Sequence, residues 1–241
     1  MDAEHLRLIG AIEAAADPSR RPPSGYFGQG DHPLYGLSVP AKREIARRWV
    51  RTHDEVSPER VLALVDSLMG GASYEEKTLG PLILGCHAKA RADVTPSHVD
   101  RWLGGLQGWA EVDHLCQGLF SADQLLATWV AWEPALAAWS RDGAISRRRA
   151  SLVLLTGPTR ASPDPRLKAR AFANIDTLAA ERDPLITKAV SWLLRSMTRH
   201  HAADVEAYVA ANAERLPAVA VREVRTKLAT GAKSGRPAPT T

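Results

Sequence analysis

Apolar and polar positions along this chain repeat with the period of a helix. Ile186, Val190, Leu193 and Met197 recur at spacings of four, three and four, which on 3.6 residues per turn makes a single apolar stripe. Lys188, Trp192, Arg195 and Arg199 recur with the same spacing on another face of the same segment. Val61, Leu64, Val65 and Leu68 follow the helical period too, as do Leu167, Ala171, Ile175 and Leu178. No comparable period-two alternation marks a strand. The punctuation agrees: Val39-Pro40, Ser57-Pro58, Thr95-Pro96, Asp164-Pro165 and Asp183-Pro184 each put proline where a first helical turn begins, and in four of the five the preceding residue can also cap. Ser73 with Glu76, and Ser121 with Gln124, form capping-box patterns. The spacing predicts about a dozen helices of roughly ten to eighteen residues joined by short turns between residues 4 and 230.

The expected fold is therefore all-α. Antiparallel helix pairs repeating every few tens of residues stack as a curved, HEAT-like solenoid, and one concave face is then open to a partner. Residues 1–230 are expected to form a single domain of this kind, followed by a Gly-, Ser- and Pro-rich tail, 231–241, expected to be disordered. Residues 25–36 are the one long irregular stretch ahead of the array, and Pro81 is expected to kink or split a helix over 73–91.

Composition narrows the class. The 241 residues are 45% hydrophobic with a mean hydropathy of −0.21, which suits a soluble chain able to bury a full core. No run of eighteen apolar residues occurs, and Asp2, Glu4 and Glu13 stand where a signal or transit peptide avoids acids, so a cytoplasmic protein is expected. Cys86 and Cys116, the only cysteines, lie in apolar, helical stretches and read as buried thiols, not as a disulfide or metal ligands. The net charge is +4, and residues 186–241 carry nine Lys or Arg against four Asp or Glu, +5, leaving −1 for the rest. An excess gathered at one end favours a nucleic-acid or acidic partner.

That excess gives the cationic face its meaning. An indole used only as core filling belongs on the apolar stripe, whereas Trp192 stands among Lys188, Arg195 and Arg199. Such a face suits a wet cleft that receives a polyanion together with something flat or cationic. Arg147, Arg148 and Arg149 open another helical segment, and three cations near a helix N-terminus oppose its dipole and ask for an external anion.

Two runs carry a resemblance. Gly108-Trp109-Ala110-Glu111-Val112-Asp113 contains Trp-x-x-Val-Asp, an indole and a carboxylate at i and i+4 on one helical face. Lys188-Ala189-Val190-Ser191-Trp192-Leu193-Leu194-Arg195 follows downstream. With Tyr26, Gly36, Pro40 and Arg43 near the start, Arg147 to Ala150 between, and Arg222-Glu223 near the end, the order resembles the AlkD-like family of alkylpurine DNA glycosylases. The resemblance implies a HEAT-like solenoid holding duplex DNA on a basic concave face and releasing bases alkylated at N3 or N7. It also implies that Asp113, Trp109 and Trp192 form the catalytic group, that Arg148 and Arg195 hold backbone phosphates, and that Tyr26 and Arg43 contribute to the DNA site. The chain departs from the family pattern at Gly108, where a second tryptophan is common, at Pro184 and Leu185, where aromatics are common, and at Ser38, where a longer polar residue is common.

The chemistry is coherent. An N3- or N7-alkylpurine is already cationic, so its glycosidic bond breaks without a general acid, and a fixed carboxylate stabilises the oxocarbenium-like sugar left behind. No P-loop, metal-spaced histidine pair or GxGxxG is present, so a cofactor-free, metal-free, monofunctional hydrolase, acting as a monomer on duplex DNA with alkylated purines and without a membrane, is expected. A non-catalytic HEAT-like protein that binds branched or distorted DNA is the alternative, and a protein-binding helical scaffold a third class. His200-His201 reads as a surface feature, because adjacent histidines do not share a helical face. His114 points away from its neighbour Asp113.

Overall fold

A computed structural model describes residues 3–20, 22, 25–27, 32–53 and 55–233. Every regular element among them is helical, with no strand, as the periodicity predicts. The contacts divide the chain into two compact units, Met1–Leu119 and Phe120–Thr241, and each is described by itself.

In the first unit, α1 (Ala3–Ala14) is followed by a short 3-10 turn at Pro18–Arg20, then α2 (Val39–Thr52), α3 (Pro58–Met69), α4 (Tyr74–Cys86), α5 (Ala88–Ala92), α6 (Pro96–Leu103) and α7 (Gly108–Gln117). The starts are set locally. Ser38 and Ser57 accept hydrogen bonds from the backbone N–H of Ala41 and Arg60, and Ser73 and Glu76 complete a capping box. α4 packs between α2 and α3 and also meets α7. The predicted stripe Val61, Leu64, Val65 and Leu68 is at most 2% exposed, beside Leu79, Ile83 and Leu84 at 0%.

Pro81 does not split its helix. α4 runs through it, and the chain breaks instead at His87, whose φ of −112° and ψ of 89° leave the helical region. Proline costs the helix a donor, about 3 kcal/mol in an ordinary interior. Here the whole stretch from Tyr74 to Pro81 is buried, so packing holds the turn together.

In the second unit, α8 (Ala122–Ala127) and α9 (Trp129–Trp139) lead into α10 (Ile145–Ala161), α11 (Pro165–Leu178), α12 (Pro184–Ala211) and α13 (Ala218–Thr230). Ser121 with Gln124 forms the expected capping box, and Asp164 and Asp183 cap α11 and α12. α12 is the central helix, packed on α10 and α13, and Ile186, Val190, Leu193 and Met197 are fully buried. Its 28 residues exceed the expected lengths, but His201 (φ −132°, ψ 40°) interrupts it. α5, α6 and α8, at 5, 8 and 6 residues, fall below them.

Two smaller expectations are corrected. Cys116 is buried but Cys86 is exposed, because it ends α4 where the helix leaves the core. His200 is exposed, but His201 is only 9% exposed, because the kink at its own backbone turns it inward. Of the expected irregular stretch 25–36, residues 28–31 lie outside the described residues, and so does 234–241 of the expected tail.

Candidate functional site

α7 begins on Gly108, whose φ is +68°, a left-handed conformation that costs an L-residue about 1–2 kcal/mol. Glycine at this position therefore has a backbone reason. The next residue, Trp109, is held by one turn of the preceding loop: its backbone N–H donates to Phe27 O at 2.9 Å and its indole Nε1–H to Tyr26 O at 3.1 Å. The rings of Tyr26 and Phe27 meet the indole edge-on at 6.2 and 5.8 Å. With its N–H used internally, the half-buried indole has its ring left to offer a ligand. One helical turn on, Asp113 is also half-buried, while Ala110, Glu111 and Val112 between them are at most 3% exposed. Trp109 and Asp113 thus share the accessible side of α7.

Beneath this face lies a set of buried ionisable groups that the sequence reading did not find. Glu111 accepts from Gln107 N at 2.7 Å and bonds His32 Nδ1 at 2.7 Å. Glu75, 1% exposed, accepts from the backbone N–H of Tyr35, Gly36 and Leu37 at 3.0, 2.9 and 3.2 Å. Lys42, also 1% exposed, donates to Thr78 Oγ1 at 2.9 Å and stands 4.3 Å from the centre of the Tyr74 ring. Burial pulls its ammonium down to about 8, against the opposing pull of Glu75 and Glu111. The Tyr74 ring stacks on Phe27 at 4.7 Å and meets His114 edge-on at 6.2 Å. Burial, then the charge of Lys42, pulls His114 down to about 4, with a smaller push from Arg43 and the Ala110 carbonyl opposing. His114 is neutral at pH 7. Lys42 did leave a trace in the sequence: it falls in helical register with the buried Ala46 and Trp49.

The second unit brings together Lys188, Trp192, Arg195 and Arg199 on one side of α12, with Lys188 and Arg199 exposed and Trp192 and Arg195 half-buried. Trp192 lines two cavities. The smaller, about 370 Å³, also takes Lys188, Arg195, Arg149, Lys233 and one carboxylate, Glu223. The larger, about 520 Å³, is reached by Arg195 and Arg199 as well. Glu223 organises the first of these: its Oε2 accepts from Ser191 Oγ at 2.6 Å and lies 3.4 Å from Arg195 Nε, and Lys233 Nζ is 3.6 Å from Oε1. Burial lowers the pKa of Arg195, and Glu223 opposes that shift.

The arginine run at the start of α10, which the sequence read as asking for an external anion, also meets acceptors within the chain. Arg148 donates to Asp142 O and Gly143 O at 2.9 and 2.7 Å, and its Nε lies 2.7 Å from Glu181 Oε1. Arg149 is buried and donates to the carbonyl of Leu185. Arg147 is 3.8 Å from Asp142. The loop before α10 folds its carbonyls back onto the helix, which supplies acceptors that the local sequence did not reveal. In the first unit, Tyr26 is 60% exposed beside Trp109 and Arg43 is exposed on α2. Ser38, another of the departures noted in the sequence, is the N-cap of that helix.

Among the described residues, no group of three or more His, Cys, Asp or Glu could hold a metal ion, and no helix is long and apolar enough to cross a membrane. The sequence model of a family described as DNA alkylation repair enzyme matches residues 8–228. A search of curated proteins found no match.

Proposed function

This chain belongs to the DNA alkylation repair enzyme family, and on that footing we propose that it is a monofunctional DNA N-glycosylase that hydrolyses the glycosidic bond of cationic N3- or N7-alkylpurines in duplex DNA. The observation that carries this reading is the shared accessible side of Trp109 and Asp113 on α7, with the residues between them turned into the core. A carboxylate on an accessible helix face beside a clamped indole is what an electron-poor sugar and a cationic base require.

In this reading the alkylated base is its own leaving group, and nothing need protonate it. As the bond to the sugar breaks, Asp113 stabilises the positive charge gathering on the deoxyribose and orients the water that attacks it. The faces of Trp109 and Trp192 contact the cationic base and the sugar, each contact contributing about 0.5–2 kcal/mol. Arg195 and Arg148, with Lys188, Arg199, Arg43 and Tyr26, hold the duplex through its phosphates and so carry no sequence preference. We take the helix array to be built of HEAT-like repeats, acting as a monomer, without cofactor, on cytoplasmic DNA.

The test is release of 3-methyladenine and 7-methylguanine from methylated duplex. Release by the unmodified protein, lost in Asp113→Asn while duplex binding is kept, supports the proposal. Binding to DNA without release overturns it and leaves a non-catalytic DNA-binding protein.

A further inference from the structure

The larger cavity beside Trp192 differs in kind from the smaller one. Its charged lining is Arg160, Arg195, Arg199, Lys227 and Lys233, with no carboxylate among its lining residues. These cations come from separate elements: Arg160 from the last turn of α10, Arg195 and Arg199 from α12, Lys227 from the last turn of α13, and Lys233 from the segment after it. Local structure gathers them. His200 Nε2 bonds the carbonyl of Arg160 at 3.1 Å, tying the end of α10 to α12. Gly231, at φ +73°, turns the chain back after α13, and Lys227 Nζ donates to its carbonyl.

Arg160 and Lys227 complement the carbonyl ends of their helices, each equivalent to roughly half a negative charge. That leaves most of five full positive charges around about 520 Å³ unanswered. Glu223 reaches Arg195 and Lys233 from the other cavity. Among the described residues, Arg160 and Arg199 have no ion-pair partner. Like charges held together in this way need an anion from outside. A free phosphate has no use for an indole wall, whereas a nucleic-acid strand presents phosphates with a flat base or sugar beside them.

We propose that the cavity formed by Arg160, Arg199, Lys227 and Lys233 beside Trp192 is a backbone-phosphate site for a nucleic-acid strand. It rests on the reading of this chain as a DNA-acting protein and adds Arg160, Lys227 and Lys233, which no sequence motif singles out. The site supplies grip and carries no lesion selectivity.

The experiment measures binding of an undamaged duplex across a potassium chloride series for the unmodified protein, Lys233→Glu, Arg160→Ala with Lys233→Ala, and Arg166→Ala as a control. Arg166 pairs with Asp164 at the start of α11 and does not line the cavity. Lys233 is 60% exposed at its side chain and lies after the last helix, so its replacement removes no packing. The expected result is weaker binding, with a salt slope reduced by about one unit for each phosphate contact removed and little change in Arg166→Ala. Unchanged slopes in both cavity variants overturn the site. A second arm measures inorganic phosphate binding by each variant: phosphate binding lost in the cavity variants with their duplex salt slopes unchanged makes it a small-anion site and overturns the proposal, while reduced duplex slopes support a nucleic-acid site. Failure of the unmodified protein to bind any duplex overturns the parent reading, whereas intact base release with unchanged slopes overturns only this site.

Discussion

Trp109 donates its indole N–H to the carbonyl of Tyr26 at 3.1 Å across 83 residues of sequence. The bond couples the orientation of an accessible ring on α7 to a loop that is itself stacked on Tyr74 through Phe27. Trp109→Phe keeps an aromatic face and deletes this bond, a loss of about 0.5–1.5 kcal/mol in fixing the ring. Base release from methylated duplex is expected to fall several-fold, with duplex affinity nearly unchanged. Equal losses in both measurements would show that the ring serves binding alone.

Glu223 is the single carboxylate in the smaller Trp192 cavity, where it faces Arg195 and Lys233. Glu223→Gln removes one negative charge and keeps an acceptor for Ser191. Tighter binding to undamaged duplex is expected, checked by fluorescence anisotropy at several salt concentrations. Weaker binding would mean that Glu223 acts chiefly by holding Arg195 in place.

His114 has its pKa pulled from 6.5 to about 4 by burial first and the Lys42 charge second. The unfolded chain therefore takes up a proton near pH 6.5 that the folded chain refuses until about pH 4. Stability from this group is present above the higher value and lost as pH falls through the window, by up to an amount on the order of 3 kcal/mol. His114→Gln is expected to flatten the fall in stability between pH 6.5 and 4, read by urea unfolding at each pH. An unaltered acid limb would place the sensitivity elsewhere.

Gly108 sits at φ +68°. Gly108→Trp puts an L-residue at this left-handed φ and is expected to destabilise the protein by at least about 1 kcal/mol. Thermal unfolding should show a lowered midpoint. A neutral or stabilising effect would mean that the start of α7 relaxes without cost.

Much of this protein is local and so was readable from the chain. A serine or aspartate side chain reaches a backbone N–H two or three residues ahead, and proline fixes its own φ, so Ser57, Ser73, Ser121, Asp164 and Asp183 mark their helices without help from the fold. The two faces of α12 follow from the helical period alone, which is why Trp192 separated from Val190 and Leu193 by spacing. The fate of a charge is different, because it depends on which elements close over it. Neither Lys42 nor Arg43 differs in charge from its neighbour, yet α4 buries the first and leaves the second exposed. Arg148 found carbonyls in a loop folding back, and Lys233 reached the Trp192 cavities only through the turn at Gly231. Sequence set the helices and their faces because hydrogen bonds and periodicity act over one turn. Tertiary structure chose which ionisable groups lost water, because desolvation is imposed by distant parts of the chain.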